Sequence, residues 1–155
     1  MANLVKITTD GTALTGTTLT ITTSSLIPAN SLAVGDIFEL MTSIKKVVST
    51  AILNTYIYIN TSNSLIGATQ IGVYGGIAGT PHGYMIGRNF VIKSSTSTIG
   101  FTAANPTVSP DTVLAAAYGS FNIDWTIDQY IIIAINHSSG ASNNSYSTSL
   151  LILKR

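Results

Sequence analysis

The sequence predicts an all-β domain built as an antiparallel β-sandwich. Apolar residues alternate or run in short blocks, and no stretch shows a helical period. Turn residues recur about every ten positions, the spacing of short strands in a sandwich or barrel. Isoleucine leads an apolar content of 45%, which supplies both a core and a bias toward extended backbone.

At 155 residues the chain is long enough for one domain with a substantial core. Charged residues make up 8% of it, against about 25% in ordinary soluble domains, so serine, threonine and asparagine carry the polar surface. A net charge of +1 gives no field to attract nucleic acid or an anionic membrane, and neither is expected as a partner. The absence of cysteine removes disulfides, thiol nucleophiles and thiolate metal sites together. Met1 to Asp10 holds one lysine and no apolar run of signal-peptide length, so synthesis in a cytoplasm is expected.

The elements follow in order. Thr18 to Thr22 alternates as a strand with Leu19 and Ile21 inward. Ile27-Pro28-Ala29-Asn30-Ser31 is a turn, and Val34-Gly35-Asp36 leads into a strand from Ile37 to Thr42, with Phe38 and Leu40 inward and Glu39 outward. Thr50 to Asn60 places Leu53, Ile57 and Ile59 on one face and Tyr56 and Tyr58 on the other. Ser64 to Val73 is a weaker strand, and Gly75 to Gly83, with Pro81, is a glycine-rich loop. Tyr84 to Lys93 and Thr96 to Thr102 are strands, and Asn105-Pro106 and Pro110-Asp111 bracket a loop. Val113 to Phe121, Thr126 to Asn136 and Thr148 to Lys154 complete the set, about nine strands in two packed sheets.

The segment from Asp128 to Asn136 is unusual because no polar residue interrupts Tyr130 to Ile135. Successive side chains of a strand point to opposite faces, so this run needs cover on both sides. It is too short to span a bilayer as a helix. The body of the domain covers one face; the cheapest cover for the other is a second copy of the chain.

Two stretches carry a family likeness. One is Ile27-Pro28-Ala29-Asn30-Ser31-Leu32-Ala33-Val34-Gly35-Asp36 followed by Phe38. The other is Phe121-Asn122-Ile123-Asp124-Trp125-Thr126-Ile127-Asp128-Gln129, a strand, a Ser/Asn-rich turn from His137 to Ser147, and Ser149 to Arg155. From about residue 17 onward the chain resembles the trimeric jelly-roll domains of bacteriophage head-fibre, capsid-decoration and tail-fibre-tip proteins, whose fold is that of tumour-necrosis-factor and C1q-like trimers. The resemblance implies a homotrimeric virion structural protein, made in a bacterial host cytoplasm, that acts by assembly and display without turnover. Family members often have polar residues at alternate positions after the Asp-Gln pair, whereas this chain has Tyr130, Ile132 and Ala134. Those three face neighbouring subunits on this reading, while Ile131, Ile133 and Ile135 pack in the sandwich. Residues 1–9 form a short attachment segment for other virion proteins, and 10–155 form the jelly-roll domain.

Arg88 shares strand parity with Ile86, Phe90 and Ile92, so it marks either an inter-subunit ion pair or an edge-strand or strand-end position. Tyr74, His82 and Tyr84 flank the glycine-rich loop and form the candidate ligand-binding loop of the rival reading, a receptor- or glycan-binding adhesin. Tyr56, Tyr58 and Trp125 also offer rings that stack on sugars. A small hydrolase or lyase is the rival from another class. It has no nucleophile elbow behind it, and the six scattered carboxylates suit turn positions. The glycines from Gly72 to Gly79 lack a following helix and the Lys-Ser/Thr of a phosphate loop. No catalytic residue, metal site or cofactor is assigned.

Overall fold

A computed structural model describes residues 2–14, 16–47, 51–77, 82–102, 117–139 and 145–155. Ten strands run in the order β1 (Ala2–Ile7), β2 (Thr20–Ile27), β3 (Ile37–Lys46), β4 (Leu53–Asn60), β5 (Thr69–Ile77), β6 (His82–Ser94), β7 (Ser97–Thr102), β8 (Ala117–Phe121), β9 (Gln129–His137) and β10 (Ser145–Lys154). No helix occurs among the described residues. All pairings are antiparallel. They give a six-stranded sheet in the order β1-β10-β3-β6-β7-β8 and a four-stranded sheet in the order β2-β9-β4-β5.

The expected sandwich is therefore present, and its core lies between the sheets. Strict alternation in β3 and β4 sends Phe38, Leu40 and Ile44 from one sheet and Leu53, Ile57 and Ile59 from the other into that space. Phe38 stacks on Phe90 with centroids 4.6 Å apart and meets the edge of Trp125 at 5.6 Å, which makes the start of β3 the aromatic end of the core. One long side of the sandwich is closed where β5 lies against β7 and β8; on the other side β2 lies against β10 and β1.

Residues 11–14 strap that second side. The Gly11 amide donates to the Ser147 carbonyl at 2.8 Å, the Thr12 amide to Thr22 at 2.7 Å and the Leu14 amide to Ser145 at 2.8 Å. The strap thus ties β10 to β2 across the gap between the sheets.

Several expectations about individual elements are corrected. Residues 2–7 are an edge strand paired with β10, with Val5 in the core, and so belong to the domain expected to begin at residue 10. Leu4 and Ile7 pack against the core beside Val5, which seats a sixth strand. A bulge between Ile21 and Thr23 shifts the parity of β2, so Thr22 turns inward and Ile21 lies beside Ala134 on the other face. The fifth strand begins at Thr69 and continues through two glycines to Ile77. The Pro28-Ala29-Asn30-Ser31 turn is present: Asn30 adopts φ 60°, the Ser31 amide donates to Pro28 at 3.1 Å, and Asp128 Oδ1 accepts the Ala29 amide at 2.8 Å. The Asn105-Pro106 to Pro110-Asp111 loop and the Gly79 to Pro81 segment lie outside the described residues.

Candidate functional site

The four-stranded sheet has no aspartate, glutamate, lysine or arginine in any of its strands. The six-stranded sheet differs, with Lys6, Glu39, Lys45 and Lys93 facing away from the core. Every charged residue of the described strands thus belongs to one sheet.

Cross-strand register shows what stands on the uncharged outer face. Ile132 lies between Tyr58 of β4 and Ser24 of β2, and Ala134 between Tyr56 and Ile21. Tyr130 lies between Asn60 and Leu26. Beyond Tyr56 and Tyr58, β5 adds Val73 and Gln70. Tyr56 and Tyr58 stack on each other with centroids 6.1 Å apart and planes 23° from parallel. Asn54 Nδ2 donates to Asn136 Oδ1 at 3.0 Å, so amides edge one end of the aromatic patch. Burial, with the neighbouring Tyr56 adding to it, raises the Tyr58 phenol above the usual tyrosine value.

Tyr130, Ile132 and Ala134 do share one outward face, opposite Ile131, Ile133 and Ile135 of the core. Ile132 and Ala134 are 0% exposed within a single chain. Neighbouring side chains shield them, leaving the tyrosine rings, the half-buried Ile21 and Val73, and Leu26, 39% exposed, as accessible apolar surface. Leu26 is a contributor that sequence reasoning missed. Its signal was the alternation running back from the inward Ile27, which the early end assigned to that strand hid.

Arg88 is not on an outer face. It is 1% exposed and points between the sheets, where Nε donates to the Tyr74 hydroxyl at 2.5 Å and the guanidinium lies 5.0 Å from the Tyr74 ring centroid. Its parity with Ile86, Phe90 and Ile92 was the parity of the core. Tyr74 and Tyr84 are strand residues as well. Tyr74 is buried in β5, and the Tyr84 hydroxyl shares a 2.7 Å hydrogen bond with Thr55 Oγ1. Burial pushes the Tyr84 phenol up to about 12, against the opposing effect of the Thr55 hydrogen bond. The loop expected to gather Tyr74, His82 and Tyr84 is narrower than the sequence suggested, because β6 already begins at His82, opposite Lys46. Lys46 points into the core end, and burial lowers its ammonium pKa. His137 ends β9 with 1% exposure.

The described carboxylates serve turns and surface pairs. Asp36 meets Lys154 Nζ at 2.7 Å and accepts the Ala33 amide at 2.6 Å, and Glu39 meets Arg155 at 2.5 Å. Asp124 accepts the Thr126 amide at 2.9 Å and its hydroxyl at 2.6 Å. Among the described residues no three His, Asp or Glu side chains gather as a metal site. No helix among the described residues is long and apolar enough to cross a membrane. Fold and surface together define a two-sheet antiparallel sandwich with one uncharged, tyrosine-lined face. No family model, curated protein or solved structure matches the chain.

Proposed function

We propose that the protein is a homotrimeric jelly-roll module of a bacteriophage virion, a head fibre, capsid decoration or fibre knob that works by assembly and display. The connectivity favours a jelly-roll. The chain alternates between sheets along β1, β2, β3 and β4, returns after β5, and ends with β9 and β10 in opposite sheets. The β7–β8 hairpin extends the edge of the larger sheet.

The observation that carries the reading is the partition of charge. A protein surface normally keeps its charged residues, and their depletion at the centre of a patch with aromatic enrichment is the compositional mark of an interface. Tyr56, Tyr58, Tyr130, Leu26 and Val73 supply an apolar centre, and Asn54, Asn60, Gln70 and Asn136 a polar rim. A standard interface buries about 800 Å² per partner, an extent within reach of one sheet face. Contact runs through the tyrosines and Leu26, with Ile132 and Ala134 as the floor beneath them; Arg88 takes no part. Docking to other virion proteins would use β1, whose pairing with β10 leaves it at the sheet edge.

Sedimentation and native mass measurement test the proposal. A particle three times the 16.2 kDa chain mass is expected at micromolar concentration, and a 16.2 kDa species there ends the trimer reading. The stacked Tyr56–Tyr58 pair and its amide rim also favour the adhesin reading, in which a neutral glycan lies on the same face. That alternative requires a monomer, or a trimer with this face open, that binds neutral oligosaccharides and loses the binding with Tyr58→Ser.

A further inference from the structure

The end of the sandwich where β4 stops and β9 starts holds a polar cavity of about 290 Å³. Loops 61–68 and 122–128 build it, and every residue of both is described. Each loop is fixed by its own hydrogen bonds. Asn60 Nδ2 donates to the Ser64 carbonyl at 2.8 Å and the Ile66 carbonyl at 3.0 Å, its Oδ1 accepts the Thr61 amide at 2.8 Å, and Gly67 turns the chain at φ 74°. In the other loop Gln129 Nε2 donates to the Asp124 carbonyl at 2.7 Å, and the Thr126 amide and hydroxyl both donate to Asp124 Oδ1. Asp124 Oδ2 is left to accept from a ligand.

The lining selects a ligand by its chemistry. Asp124 carries the only charge there, and no lysine or arginine lines the cavity to receive an anion. The Thr126 hydroxyl, then its amide, hold the Asp124 carboxyl below the ordinary 3.8, so it is ionised at neutral pH. Thr61, Thr69, Asn122 and Gln129 add neutral hydroxyl and amide groups. Ile59 and Ile123 are buried beneath them, and Ile127, 45% exposed, gives the cavity an apolar rim. We propose that this cavity binds one ring of a neutral sugar. A carboxylate accepts strongly from hydroxyl donors and repels sugar acids and phosphates. The ring's C–H face would lie against Ile127. The volume is at the small end of ligand pockets, which suits a single pyranose. Each chain carries the whole cavity, so the site does not rest on the trimer and differs from a glycan laid across the tyrosine face.

Amide chemical shifts of the isotope-labelled intact chain, titrated with D-galactose, D-glucose, D-mannose or N-acetyl-D-glucosamine, test the site. At least one of the four should shift the Asp124, Thr126 and Gln129 amides saturably, with a dissociation constant on the order of 1 mM. Sodium glucuronate should leave those amides unmoved. Asp124→Asn should weaken the binding about tenfold, the loss expected for one hydrogen bond to a charged group. Asn122→Ala, on an exposed side chain, should keep the melting temperature and also weaken binding, so the test holds even if Asp124→Asn folds poorly. No saturable shift with any of the four sugars overturns the proposal, as does an affinity unchanged in both variants. So does glucuronate binding as tightly as the neutral sugars. Shifts confined to Tyr56, Tyr58 and Tyr130 overturn it too, since the sugar would then lie on the tyrosine face.

Discussion

Tyr58 stands directly opposite Ile132 in the β4–β9 ladder, and this pairing explains how an unbroken apolar strand can end a sandwich. The tyrosine is the cross-strand neighbour of an isoleucine that is fully buried. Ile132 is thereby dry in one chain, and the exposed surface becomes aromatic instead of aliphatic. An amphipathic ring is suited to an interface that must also tolerate solvent before assembly.

Tyr58→Lys places one charge near the centre of the uncharged face. On the proposed trimer reading, association should weaken by at least tenfold in dissociation constant, about 1.4 kcal/mol, because three like charges would meet or be desolvated there. Sedimentation across a dilution series checks this. An unchanged trimer would move the interface to another surface.

Ile133→Ala and Ile132→Ala separate the two faces of β9. Ile133 lies in the core between Thr23 and Ile57, and its truncation should cost about 2–5 kcal/mol in chemical denaturation. Ile132→Ala should cost less in the dissociated chain, because the tyrosines above it can settle into the space. Equal losses would mean that the outer face is packed as rigidly as the core.

Gly11→Ala should loosen the strap over the side of the sandwich. A Cβ at this position would collide with the Thr22 carbonyl oxygen, and would stand 2.8 Å from Thr22 Oγ1 and 2.9 Å from Ser147 Oγ. Because backbone has to move, a loss of about 1–3 kcal/mol is expected. Hydrogen exchange should quicken at Leu14 and Ser145, whose amides bond across the strap.

Alkaline pH should destabilise the fold through Tyr84. Its folded value of about 12 exceeds the ordinary 10.0, so its contribution is complete below pH 10 and is lost as pH rises toward 12. Two units correspond to roughly 2–3 kcal/mol. Tyr84→Phe should be less stable at neutral pH for want of the Thr55 hydrogen bond, and should show a shallower loss over that window. Parallel curves for the two proteins would contradict this.

Acid should act through Asp36. Partial burial raises its carboxyl, but the Lys154 hydrogen bond, the Ala33 amide and the Lys154 charge outweigh that and leave the pKa below 3.8. The stability it adds is present above pH 3.8 and is lost as pH falls through the lower folded value. Asp36→Asn should flatten that part of the acid limb in pH-dependent denaturation, with little change in its slope above pH 5, a range set by the unperturbed carboxylate values.

Much of the architecture was legible because alternation is a local property. Phe38 and Leu40 inward, Tyr56 and Tyr58 opposite Leu53, Ile57 and Ile59, and the two faces of Ile131 to Ile135 all follow from the two-residue period of a strand. Where the ladder carries an extra residue the period fails. The bulge at Ile21/Thr23 inverted the expected direction of Ile21, and nothing in Thr-Ile-Thr-Thr announces it.

The sequence by itself determined that this is an all-β sandwich, that its charges are few, and that β9 has an apolar second face. Which strands lie side by side was decided only in three dimensions, because pairing depends on partners far apart in the chain. That pairing put Tyr58 opposite Ile132, buried Arg88 against Tyr74 away from any outer surface, and drew residues 2–7 into the sheet. A strand's own period says that a residue has a face; only the neighbouring strand says what that face meets.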